Sequence, residues 1–74
     1  MNKWRQMPLN QQNQAQILAQ QNFLKHAALE LHYERQKLAF ANNHELYYRY
    51  AELQYYHKSR AFFYKSYFSA TAFL

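Results

Sequence analysis

The sequence contains no cysteine, which excludes disulfide bonds and thiolate metal sites. Glycine is also absent, so the tight hairpin turns and phosphate-binding loops that need a positive φ are not expected. With no valine and a single isoleucine, Ile17, the chain has little β-branched material for strands. Most of the other non-aromatic positions carry good helix formers, chiefly Ala, Leu, Gln, Glu, Lys and Arg. These features predict an all-α protein.

The short length limits how much structure the chain can bury alone. Its 74 residues make one domain at most, and a domain of this size buries only roughly 60–65% of its unfolded surface. Nine Lys and Arg residues against four acidic residues give a net charge of +5. This positive balance favours an acidic partner, such as nucleic acid, an anionic membrane or an acidic protein face.

The N-terminal residues lack the apolar core of a secretory signal peptide. The stretch from Met1 to Met7 leads into the polar run Asn10–Gln16. No uncharged apolar run approaches the ~20 residues of a membrane-spanning helix. The expected location is therefore the cytoplasm.

The chain divides into an N-terminal arm, residues 1–9, and a helical region, residues 10–74. Pro8 suits the first turn of the helix that follows, where its missing N–H costs nothing. Trp4 lies in the arm between two cations. It is either part of a loose terminus or an anchor for a partner.

Asn42 and Asn43 form the one credible break in the helical pattern. Asparagine tolerates the left-handed conformation that ends a helix, and it is also a favoured N-cap. The break predicts an antiparallel hairpin, with helix one at about 10–41, a turn at Asn42-Asn43 and helix two at about 44–71. If Asn42 caps helix two, Glu45 completes a capping-box pattern three residues later. The alternative is one continuous helix of ~60 residues, about 90 Å long.

Four aliphatic residues of helix one recur every seven positions. This leucine row comprises Ile17, Leu24, Leu31 and Leu38. Folding about the two asparagines brings residues whose numbers sum to about 85 to the same level. The leucine row is then predicted to pack on an apolar face of helix two. That face comprises Leu46, Tyr50, Leu53, Tyr64, Tyr67 and Phe68.

Helix two carries more aromatic residues than one face can hold. Tyr48, Tyr55 and Phe62, seven residues apart, form an outer row nearly opposite the predicted contact with helix one. Tyr56 and Phe63 form a side row beside it. Because each large aromatic side chain can bury ~150–250 Å², leaving five of them in water would exceed the apolar patch of a usual monomer. These five residues are therefore predicted to contact a protein partner or a second copy of the chain, which completes the fold.

Three cations accompany these rings, and no acidic residue follows Leu53. Lys58, Arg60 and Lys65 are expected to complement the charge of the partner. The same mixture of cations and rings fits RNA or single-stranded DNA, which is the alternative. A basic, aromatic helix also fits an anionic membrane surface, which is the third possibility.

No residue pattern supports catalysis, a cofactor, a metal site or a small-molecule substrate. The chain has four histidines: His26, His32, His44 and His57. None is three or four residues from another, the spacing that places two ligands on one helical face. Glu30 and Glu34 are one turn apart, but they fit the solvated side of helix one. We therefore expect a small, non-enzymatic helical interaction protein, acting as an assembly subunit, adaptor or inhibitor.

Overall fold

Two helices make up the part of the chain that the structure describes. The computed structural model describes the backbone of residues 9–69 and the side chains of residues 14–69. Helix α1 spans Leu9–Ala39 and helix α2 spans His44–Lys65, and there is no strand in this range. The two helices pack along one another, so the chain forms the predicted two-helix hairpin and not one continuous helix.

The predicted N-terminal arm falls almost wholly outside the described residues. Residues 1–8 include Trp4 and are not described, whereas Leu9 is already the first residue of α1. Helix α1 ends at Ala39, where the sequence had suggested about residue 41. The chain then reverses through a short turn, in which the Asn43 N–H donates to the Phe40 carbonyl at 2.9 Å.

The N-cap of α2 is Asn43 and not Asn42. Asn43 has an extended backbone (φ −113°, ψ 105°), and its side-chain Oδ1 accepts a hydrogen bond from the Leu46 N–H at 3.1 Å. This bond satisfies one of the N–H groups that the first turn of a helix leaves without an intrahelical partner. Glu45 is then only two residues from the cap, so the predicted capping-box spacing is not met.

Helix α2 ends at Lys65, earlier than the predicted end near residue 71. Ser66 is the C-cap, and its hydroxyl donates to the Phe63 carbonyl at 2.6 Å. The next two N–H groups donate to carbonyls three residues back, from Tyr67 to Tyr64 and from Phe68 to Lys65. Hydrogen bonds of this spacing belong to a tighter turn than that of an α-helix, so the α-helix ends here. Residues 70–71 lie outside the described range.

The leucine row does not face α2, so the predicted pairing between the helices is wrong for α1. Its four side chains keep 46–64% of their surface exposed. The row lies on the outer side of α1, because at 100° per residue Leu31 points about 160° away from Tyr33. Tyr33 instead faces α2, where its ring stacks between those of Tyr50 and His57.

Aromatic rings from both helices form the contact instead. Neighbouring rings come alternately from the two sides of the hairpin, with centroids 5.0–6.1 Å apart and interplanar angles of 10–28°. From the turn outward, this ring column comprises Phe40, Tyr50, Tyr33, His57, His26 and Tyr64. Beyond it, Phe23 and Phe68 meet edge to face at 5.5 Å.

The ring column explains why the leucine row stays outside. Each side of the hairpin contributes rings seven residues apart: positions 26 and 33 of α1 with Phe40 just after it, and positions 50, 57 and 64 of α2. Stacked pairs of rings contribute about 0.5–1.5 kcal/mol each beyond the area they bury, whereas leucines against the same rings would contribute burial alone. The predicted face of α2 is largely correct, since Leu46, Tyr50 and Tyr64 are half-buried. Tyr67, by contrast, is exposed.

Little of the hairpin is fully buried. Among the described side chains, the buried ones are Ala19, Ala61 and Gln54, and no large side chain is completely enclosed. The two alanines let the helices approach closely near the open end. The hairpin is therefore held by a single line of rings, all half-buried except the exposed Phe40, and the outer sides of both helices remain in solvent.

Candidate interaction surface

The five predicted partner-binding rings all lie on exposed parts of α2. Tyr48, Tyr55 and Phe62 of the outer row and Tyr56 and Phe63 of the side row keep 44–62% of their surface in solvent. The outer row points nearly opposite the α2 rings of the ring column, since positions 48, 55 and 62 differ from 50, 57 and 64 by two residues, or about 200°.

The near-turn end of the outer row is held by contacts with neighbouring side chains. Tyr48 meets Tyr47 edge to face at 5.4 Å. Lys37 of α1 places its Nζ 5.8 Å from the Tyr47 ring centroid and 6.0 Å from that of Tyr55. A cation at this distance is attracted to the ring face. The sequence alone does not indicate Lys37, because its role depends on which side of α1 turns toward α2.

The three predicted cations differ in their surroundings. The Arg60 guanidinium lies over the rings of Phe63 (4.5 Å) and Tyr64 (5.2 Å) and donates to the Tyr64 hydroxyl at 3.3 Å. Lys65 points across to α1, with its Nζ 6.0 Å from the Phe23 ring. Lys58 is exposed. Two of the three charges therefore already interact with rings of the hairpin itself.

A shallow open pocket lies in the groove between the helices, beside Phe62. Its volume is about 230 Å³. The lining residues are Phe23, Ala27, Glu30, Lys58, Ala61, Phe62 and Lys65. Its walls are mainly apolar, with Glu30, Lys58 and Lys65 at the edge, which suits an apolar side chain of a protein partner. Phe62 thus links the outer row to this groove.

Two histidines meet at the centre of the ring column. A hydrogen bond of 2.8 Å joins Nδ1 of His26 to Nδ1 of His57, so one of these nitrogens carries a proton and the other does not. The pKa of His26 is lowered from 6.5, first by partial burial and then by the positive charges of His57, Lys25 and Arg60.

The remaining candidates for metal or acid–base chemistry stay apart. His32 and His44 are exposed, outside the ring column. Across residues 14–69, no three His, Cys, Asp or Glu side chains come together in a group that could hold a metal ion. Glu30 lies at the groove and is half-buried, so it does not belong to a fully solvated side as the sequence had suggested.

In residues 9–69, neither helix is long and apolar enough to cross a lipid bilayer. No protein-family model, no curated protein and no solved structure matches this chain. A function for the protein therefore has to be inferred from its own residues.

Proposed function

We propose that the protein acts by docking on another protein through the outer and side rows of α2, and that it catalyses no reaction. It would serve as an assembly subunit, an adaptor or an inhibitor of a larger complex. The observation that carries this proposal is the exposure of five aromatic side chains of α2, each of which keeps 44–62% of its surface in solvent.

The exposed aromatic area is large for so small a protein. With about half of each ring in solvent, five rings of ~150–250 Å² present roughly 400–600 Å². Patches of this size on monomers are often functional, and a stable protein interface buries about 800 Å² on each partner. The two rows would thus supply the apolar centre of an interface, with the exposed Lys58 at its edge.

The charges favour a protein partner over RNA or single-stranded DNA. Arg60 and Lys65 interact with rings of their own hairpin, which leaves them less free to neutralise phosphates. Binding of single strands needs a basic groove that follows the backbone, as well as stacking rings. An acidic patch beside apolar pockets on a protein would match Lys58 and the rings together.

Affinity capture with a matched pair of variants tests the proposal. The Tyr55→Ser/Phe62→Ser variant should lose the partner that the wild-type chain recovers, and its affinity for that partner should fall about 100- to 1,000-fold, because two central aromatic contacts contribute ~2 kcal/mol each. The control, Leu18→Ser, removes an exposed apolar side chain from α1 outside the leucine row and should keep the partner.

Helicity of all three proteins is checked by circular dichroism before binding is compared. Undiminished binding by Tyr55→Ser/Phe62→Ser would contradict the proposal. An RNA partner whose affinity falls steeply between about 50 and 200 mM salt would replace it by the nucleic-acid alternative. Binding to vesicles of anionic lipid, lost in the same variant, would replace it by the membrane-surface alternative.

A further inference from the structure

The leucine row of α1 is a second apolar surface, separate from the rows of α2. Its members are exposed along the outer side of α1 from Ile17 to Leu38, about 31 Å at ~1.5 Å per residue. Nothing in the hairpin requires four aliphatic residues at this spacing, because the ring column already joins the two helices. A repeat of seven supplies one of the two positions of a helix–helix seam, and the companion position carries Gln21, Ala28 and Arg35.

We propose that the leucine row binds the leucine row of a second copy in antiparallel orientation, which makes a four-helix dimer with the two α1 helices at its centre. This inference does not depend on the proposed function, since it uses the other helix. The row is self-complementary: with Ala28 near the two-fold axis, Ile17 lies level with Leu38 of the partner subunit and Leu24 with its Leu31.

The charges along α1 oppose association with a second copy less than those along α2 do, and they favour the antiparallel orientation. Helix α1 carries three cations against two acids, a net charge of +1, whereas α2 carries four cations against two acids, +2. Two copies that meet through α1 therefore repel each other less than two copies that meet through α2. Arg35 flanks the row and is exposed. An antiparallel pair places it near an uncharged Gln21, whereas a parallel pair would set Arg35 against Arg35.

The available area predicts a dimer of moderate affinity. Helix α1 is about 46 Å long, and a helix is about 10 Å wide, so the seam covers roughly 460 Å² of projected surface on each copy. This is below the ~800 Å² per partner of a standard interface. The dimer should therefore form in the micromolar range and dissociate on dilution.

Sedimentation equilibrium across about 1 to 200 μM tests the dimer on the full chain. The wild-type mass should rise from 9.1 kDa toward twice that value. Leu24→Glu/Leu31→Glu should weaken association at least about 100-fold, because it places unpaired charges in the seam. The control Leu18→Glu changes an equally exposed leucine about 130° away from the row and should associate as the wild type does.

Single cysteines test the direction, since the chain has none of its own. Oxidation of Ala28→Cys should give a disulfide-linked dimer. Gln21→Cys should not, because the two cysteines would lie about 20 Å apart, far beyond the reach of a disulfide. A chain that stays monomeric throughout, or a dimer unaffected by Leu24→Glu/Leu31→Glu, would overturn the proposal. Equal cross-linking at both positions would overturn the antiparallel arrangement.

Discussion

Gln54 is an unusual residue in the contact between the helices. It is only 8% exposed, and its buried Oε1 has no hydrogen-bond partner. A buried carbonyl without a partner destabilises the folded state by about 1–3 kcal/mol, because it loses its bonds to water and gains none. The sequence does not reveal this, since glutamine is mostly exposed in helices.

Replacing Gln54 with methionine should stabilise the hairpin. Gln54→Met keeps the length of the side chain and removes the buried polar group, so we expect the free energy of unfolding to rise by about 1 kcal/mol. Thermal unfolding followed by circular dichroism would show an increase in Tm of about 4–8 °C. The matched control, Gln16→Met at an exposed position of α1, should change the stability by less than about 0.5 kcal/mol. A lower Tm for Gln54→Met would show that its amide is satisfied in solution.

The His26–His57 pair should make the hairpin sensitive to acid. Because the folded-state pKa of His26 lies below 6.5, the unfolded chain binds this proton first as the pH falls. The stabilisation is therefore complete above about pH 6.5 and is lost as the pH falls through the lowered pKa. Thermal unfolding at about pH 7.5 and 5.5 should show the lower Tm in acid.

A second pair of variants tests whether this acid sensitivity arises from the His26–His57 pair. His57→Phe keeps a ring in the column but removes one charge, so the difference in Tm between the two pH values should shrink. The control His44→Gln removes an exposed histidine and should leave the difference unchanged. If His57→Phe kept the full difference in Tm between the two pH values, the acid sensitivity would arise from groups other than this pair.

At the scale of the helices, the N-cap determines the residue at which α2 begins after the turn. The Asn43 side chain bonds to the Leu46 N–H, so Asn43→Ala should lower the free energy of unfolding by about 1 kcal/mol. Asn42→Ala is the natural control, because Asn42 is the neighbouring asparagine and is exposed in the turn. Urea unfolding of both variants measures the difference. An equal loss for the two would indicate that the turn, and not the cap, is being weakened.

The elements themselves follow from local properties of the sequence. Strong helix formers, the absence of glycine and one pair of asparagines predict two helices and a break, because each of these acts within a few residues. The cap was placed one residue early, since Asn42 and Asn43 are chemically identical and only the backbone of the turn distinguishes them.

The face of α1 that packs could not be obtained in the same way. Helix α1 carries two rows with a spacing of seven, nearly opposite each other: the leucine row, and the rings at 26 and 33, which Phe40 continues just after the helix. Hydrophobicity alone favours the leucines. The rings face α2 because α2 offers Tyr50, His57 and Tyr64 at matching heights. The matching repeats of rings on the two sides of the hairpin are the sequence signal for this packing.

At the scale of the whole molecule, a thin core is combined with apolar surface on both outer sides. The described side chains include no large one that is completely buried, while exposed aliphatic residues line α1 and exposed rings line α2. Two helices meet along one line, so each leaves most of its circumference uncovered. The proposed dimer would cover α1, and the proposed partner would cover α2, without competing for the same residues.

The helices, the position of the turn and the surplus of aromatic residues were determined by the sequence itself, because propensity and composition are local or additive properties. Which row of α1 faces α2, which cations lie over aromatic rings and the burial of Gln54 follow from the packing of the two helices against each other. These outcomes depend on the match between two surfaces, and such a match is a property of neither helix alone.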